Sequence, residues 1–153
     1  ASPTFTGTPA APTAAVGTNT TQLATTAHVY AERAATATLT NKTLTTPLIT
    51  GTREVRVAMP ANAIDLATGN LFTKTISGAT TLTVSNVPAT GDAASFILEL
   101  TNAGSAAITW FSGVKWAGGT APTLTASGVD VLGFYTHNGG TTWRGMLLAK
   151  DSK

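Results

Sequence analysis

The chain has 153 residues, a formal net charge of +2 and charged side chains at only 10% of positions, against about a quarter in an ordinary soluble domain. It contains no cysteine, which excludes disulfides, thiolate zinc sites and cysteine nucleophiles. Its Lys and Arg form no run, so the phosphate-neutralising stripe of a nucleic-acid binder is missing, and no apolar stretch approaches the length of a membrane-spanning helix.

Threonine supplies about a fifth of the chain, and this side chain favours extended backbone while tolerating partial burial. A Thr-rich, Gly-punctuated, charge-poor chain of this length reads as mainly β, one domain plus an appendage, with surfaces meant to be covered. Oligomerisation is the usual cover.

Residues 1–18 carry Pro3, Pro9 and Pro12, which fix the backbone and remove donors, and Gly7 and Gly17, which permit turns. They read as an extended arm, with a disordered linker as the alternative. Over 19–37 the period changes. Leu23, Ala27, Tyr30 and Ala34 recur at spacings of four, three and four on one helical face, behind Thr20 or Thr21 as a cap. A lone helix this thinly apolar is marginal in water. Packed on two copies of itself about a three-fold axis it becomes a short trimeric coiled coil, the alternative being a surface helix on the following domain. Residues 38–53 return to extended Thr-rich chain ending at Pro47 and Gly51.

The texture changes again near 52–54, which divides the chain into a shaft segment, 1–53, and a β domain, 54–153. Strands are expected at Glu54–Ala58, Ala63–Leu66, Leu71–Ile76, Thr81–Val84, Ala94–Thr101, Ala107–Phe111, Val114–Trp116, Val129–His137 and Thr142–Ala149. Thr68-Gly69-Asn70 reads as one hairpin turn and Asn138-Gly139-Gly140 as another, the latter able to supply positive φ. Many short strands between turn residues predict an antiparallel β-sandwich of jelly-roll type.

Catalytic machinery is hard to find. His28 and His137 lie far apart and outside any nucleophile elbow or zinc spacing, and Gly118-Gly119 lacks the Lys-Ser/Thr of a phosphate loop. Asp65, Asp92, Glu99 and Asp130 are scattered over the β domain. Three His28 side chains around an axis, or carboxylates paired across a trimer seam, are the alternatives. The expectation is a non-enzyme with no cofactor and no metal. The better lead is a polar and aromatic group near the C terminus: Lys115, Trp116, Tyr135, His137, Asn138 and Arg144. Tryptophan and tyrosine stack on sugar faces or fill protein pockets, while Lys, Arg and Asn orient polar groups. Strand aromatics also pack cores and subunit seams, which makes Lys115, His137 and Asn138 the stronger contact candidates.

The opening Ser2-Pro3-Thr4-Phe5-Thr6-Gly7-Thr8-Pro9 with Gly17-Thr18-Asn19-Thr20-Thr21-Gln22-Leu23-Ala24 resembles the repeat of bacteriophage tail fibre proteins. Thr40-Asn41-Lys42-Thr43-Leu44-Thr45-Thr46-Pro47 resembles a phrase of phage fibres and neck appendages, and Gly113–Trp116 through Gly139–Gly145 is similar to the C-terminal domains of such fibres. The resemblance implies a homotrimer of shaft, short coiled coil and β-sandwich knob, placed on the virion. It also implies attachment to a bacterial surface glycan or outer-membrane protein, contacts with other virion proteins, and neither nucleic-acid binding nor membrane insertion. The Ala start suggests the C-terminal part of a longer or processed protein. A non-adhesive virion appendage, such as a fibre connector, head fibre or collar protein, is the alternative.

Overall fold

Alternation of apolar and polar residues sets the strands, and their register sets the core. The computed structural model describes residues 6–7, 11–15 and 44–153, and the chain divides into two compact units, Ala1–Leu48 and Ile49–Lys153. In the first unit the described residues form neither helix nor strand. The helix expected over 19–37, with Leu23, Ala27, Tyr30 and Ala34, lies outside the described residues.

The second unit is mainly β. Its strands are β1 (Arg56–Ala58), β2 (Ala63–Asp65), β3 (Leu71–Thr75), β4 (Thr80–Thr81), β5 (Thr83–Ser85), β6 (Thr90–Thr101), β7 (Ile108–Thr109), β8 (Val114–Trp116), β9 (Val129–Asn138) and β10 (Trp143–Ser152). Six of them form one sheet in the order β1-β3-β6-β9-β10-β8, while β2-β5 and β4-β7 make two short ladders. The sheet is mixed where antiparallel pairing was expected: β1–β3, β3–β6 and β8–β10 run parallel, and only β6–β9 and β9–β10 run antiparallel. Parallel neighbours need a crossover of about a dozen residues, and the 76–89 segment that carries β4 and β5 supplies it between β3 and β6.

The Thr68-Gly69-Asn70 turn does not close a hairpin, because β2 pairs with β5 and β3 with β1 and β6. Asp65 is the cause. Its carboxylate accepts from the Ala67 N–H at 3.0 Å and from the Asn86 amide, and its carbonyl accepts from the Thr68 N–H at 3.0 Å and hydroxyl at 2.7 Å. The chain thus winds into a side-chain-stabilised turn and leaves β2 in a different ladder from β3. The Asn86 amide and then the Ala67 N–H hold the Asp65 carboxyl below its ordinary pKa.

One face of the sheet is the core. The cross-strand row Val57–Phe72–Leu98–Leu132–Leu147 points inward, as does Phe96–Phe134–Gly145–Trp116 beside it. Phe96 stacks on Phe134 at 5.1 Å and meets the edges of Phe72 at 5.8 Å and Trp143 at 5.4 Å. Ile64 of β2 and Leu82, between β4 and β5, join the same buried cluster, so the short ladders close the core over the sheet. Gly145 is a packing requirement. A β-carbon there would come within 2.7 Å of the Trp116 ring, so the indole lies flat where any side chain would stand.

Asp130, fully buried at the inner edge of β9, is a clasp. Its carboxylate accepts from the Thr125 N–H at 2.6 Å, the Thr125 hydroxyl at 2.8 Å and the Asp151 N–H at 3.0 Å, tying the incoming loop and the bulged end of β10 to β9. Burial pushes its pKa up, but the Thr125 N–H, the Asp151 N–H, the Thr125 hydroxyl and the Lys150 charge together bring it below the ordinary value. A lowered native pKa contributes stability above the unfolded-state value, and this is lost as pH falls through the native one. Denaturant midpoints measured from pH 7 to pH 3 should therefore drop most below about pH 4, the ordinary Asp range. Asp130→Asn should be less stable at pH 7, because one oxygen becomes a donor facing a donor, and its midpoint should vary less with acid.

Candidate functional site

The period of two that sends the aromatic residues inward sends the intervening positions to the opposite face of the sheet. That outer face reads row by row. At its centre Arg56, Leu71, Ile97, Gly133 and Met146 lie side by side across β1, β3, β6, β9 and β10. In the row toward the β6 C-terminus are Ala58, Thr73, Glu99 and Val131. In the row toward the β9–β10 turn are Ser95, Tyr135, Arg144 and Lys115.

The centre of this face is apolar. Met146 is 45% exposed and Leu148 53% exposed, although both lie on strands. Leu148 lies over Gly133, and with Ile97, Tyr135 and Met146 it borders a shallow cleft of about 290 Å³. Full burial of a Leu or Met side chain is worth about 1.5–3 kcal/mol, so these strands hold apolar surface that the unit itself does not cover. The rim toward the β9–β10 turn is cationic: Lys115 and Arg144 are neighbours on parallel strands, both exposed, with the Tyr135 ring on the other side of Arg144, while Glu99 stands in the row on the opposite side and Glu54 lines the cleft. His137, two residues beyond Tyr135 on β9, is exposed on the same face. The result is an apolar platform bordered on the turn side by two fixed cations, a phenol and an imidazole.

Of the six candidates from sequence, the structure thus brings together Lys115, Tyr135, Arg144 and His137. Trp116 belongs elsewhere. Strand parity turns it to the inner face, where it is half-buried against Trp110 at 5.0 Å and Phe134 at 5.5 Å. Asn138 is committed to the turn. Its side-chain oxygen accepts from the Thr136 hydroxyl and the Thr142 N–H, both at 3.0 Å, and the same Thr136 hydroxyl accepts from the Gly140 N–H at 3.2 Å. Gly139 and Gly140 follow at φ 64° and 77°, values open to glycine at no cost. Asn138 therefore fixes the hairpin that aims the rim residues.

The apolar centre was not singled out from sequence, although Gly133 in the middle of a strand pattern marked a place where something approaches closely. Among the described residues no group of three or more His, Asp or Glu gathers in metal-binding proximity, and no helix is long and apolar enough to cross a membrane. No protein-family model, curated protein or solved structure matches the chain.

Truncation separates the two kinds of residue. Trp116→Ala should cost about 2–4 kcal/mol in chemical denaturation, below the full range for aromatic truncation because the indole is half-buried. Lys115→Ala, next to it in sequence, should stay within about 0.5 kcal/mol of the parent.

Proposed function

We propose that the chain is the trimeric tail fibre, or receptor-binding, protein of a bacteriophage, attaching the virion to a bacterial surface glycan or outer-membrane protein. In this reading the Ile49–Lys153 unit is the knob, a jelly-roll-like sandwich varied by its parallel pairs. The segment over 19–37 is the three-stranded coiled coil, and the Thr-Pro-Gly phrases are shaft.

One observation carries the reading: the outer sheet face, with its uncovered apolar centre and its cationic, aromatic rim. The apolar part suits contact with identical copies, since aliphatic and Met side chains gain most from leaving water. The rim suits a partner that changes from host to host, since exposed Lys, Arg, Tyr and His contribute directed polar contacts without affecting the core. The low charge content fits a chain whose surface is shared among copies.

The test has two arms. Light scattering on the purified chain should give the mass of three copies, and fluorescently labelled protein should decorate cells of at least one strain in a bacterial panel. The exposed double variant Lys115→Glu/Arg144→Glu should keep its assembly state and fold while cell decoration falls at least tenfold. A monomer at micromolar concentration removes the reading. Trimers that decorate no strain point to a non-adhesive virion appendage.

A further inference from the structure

A second concave site lies away from the outer face, where loops at the hairpin end meet the inner side. A cleft of about 470 Å³ opens between β4–β5, the segment after β7 and the β9–β10 turn. Exposed Thr81 and Thr83 line one side, exposed Ser112 another, and the Gly139–Gly140 main chain a third, with the half-buried Trp110 and the edge of Trp143 as aromatic walls. Bare main chain matters here. A β-carbon at Gly140 would stand 3.2 Å from Trp143 Nε1, so side chains in the turn would crowd the indole edge.

Trp110 has a second role. It also walls a neighbouring cleft of about 230 Å³, lined on its far side by Pro122, Thr123 and Leu124. One indole thus stands as a ridge between two depressions, and no residue lining either of them is charged.

These features select a ligand class. A phosphate, an acidic sugar or a nucleic acid would meet no cation here. A purely apolar ligand would bury the hydroxyls of Thr81, Thr83 and Ser112 without partners, which costs binding energy. A pyranose satisfies both requirements: its C–H face lies on an indole, and its hydroxyls exchange hydrogen bonds with Thr, Ser and main-chain groups. Trp, Ser and Gly supply such contacts at low entropy cost. The larger volume falls within the range of about 300–1,000 Å³ usual for small-ligand sites, and the ridge between two depressions suits more than one ring.

We infer that the paired clefts about Trp110 form a binding site for an uncharged oligosaccharide, with Trp110 as the stacking platform. The site's chemistry stands independently of the adhesin reading; only its placement against a cell surface rests on that reading.

The test is a titration of the full chain, 15N-labelled, with maltotriose, cellotriose, mannotriose and chitotriose, and with sialyllactose as the anionic comparison, read from the three tryptophan indole N–H signals. At least one neutral trisaccharide should shift the Trp110 signal saturably, and more tightly than sialyllactose does. Trp110→Ala should weaken that binding at least tenfold. Because Trp110 also touches Trp116 and Phe134, the exposed variant Thr83→Glu supplies a second arm that leaves the core alone, and it should weaken binding equally. No saturable shift with any of the four sugars overturns the inference, as does tighter binding of sialyllactose, even where the protein decorates cells. Saturable binding by a protein that decorates no cell sustains the inference and removes the adhesin reading instead.

Discussion

The antiparallel register between β6 and β9 is the constraint on which the rest of the second unit depends. It sets Phe96 against Phe134 and Leu98 against Leu132, and these pairs seat Phe72, Phe111 and Trp143 around them. Each favourable aromatic pair adds about 0.5–1.5 kcal/mol beyond its buried area. Because side chains alternate, a slip of one residue would turn the whole set to the other face. The same register composes part of the outer face, since fixing Phe96 opposite Phe134 fixes Ser95 opposite Tyr135, and the β9–β10 register then adds Arg144 opposite Tyr135. Core and candidate site are two readings of one alignment.

This explains which parts of the fold were legible in the sequence. Phe96-Ile97-Leu98 marked a central strand, and Asn138-Gly139-Gly140 marked a hairpin, because both signals are local: alternation in one case, positive φ in the other. The parallel pairings of β3 with β6 and β8 with β10 are not local. Nothing in Leu71–Thr75 states which distant strand it will join; that follows from burying Phe72 beside Leu98. The Thr68-Gly69-Asn70 turn misled because turn residues specify a reversal of direction without specifying a partner. The carboxylate of Asp65 and the distant amide of Asn86 decide the local path.

The site was legible to a similar depth. Lys115 next to Trp116 is a pair of opposite parity, so one of the two had to face inward, and only the placement of β8 beside β10 determines which. Gly145 was the available clue, since a glycine amid Trp143, Arg144, Met146 and Leu147 makes room for a large neighbour, and that neighbour is Trp116. The clefts about Trp110 had no comparable signature. The walls of the larger come from 81–87, 110–112 and 139–143 and those of the smaller from 103–110 and 121–124, segments that only the closed core brings together.

The second unit also changes how self-association has to be understood. The dependence on copies was expected of the shaft segment, 1–53, whose predicted, thinly apolar helix is marginal alone. Ile49–Lys153 does not need that help: Phe72, Leu98, Leu100, Leu132 and Trp143 are almost fully enclosed within it, and Asp130 has three donors from its own unit. The apolar surface that its strands leave for copies centres on Met146, Leu148 and their neighbours, on the face opposite the core, and Ile49 and Val55 are exposed ahead of β1. Association of such units would therefore join bodies that are already folded. Their contact would be set by a few aliphatic side chains and bordered by Lys115 and Arg144, an arrangement in which assembly and rim recognition can vary by separate substitutions because different exposed side chains carry them.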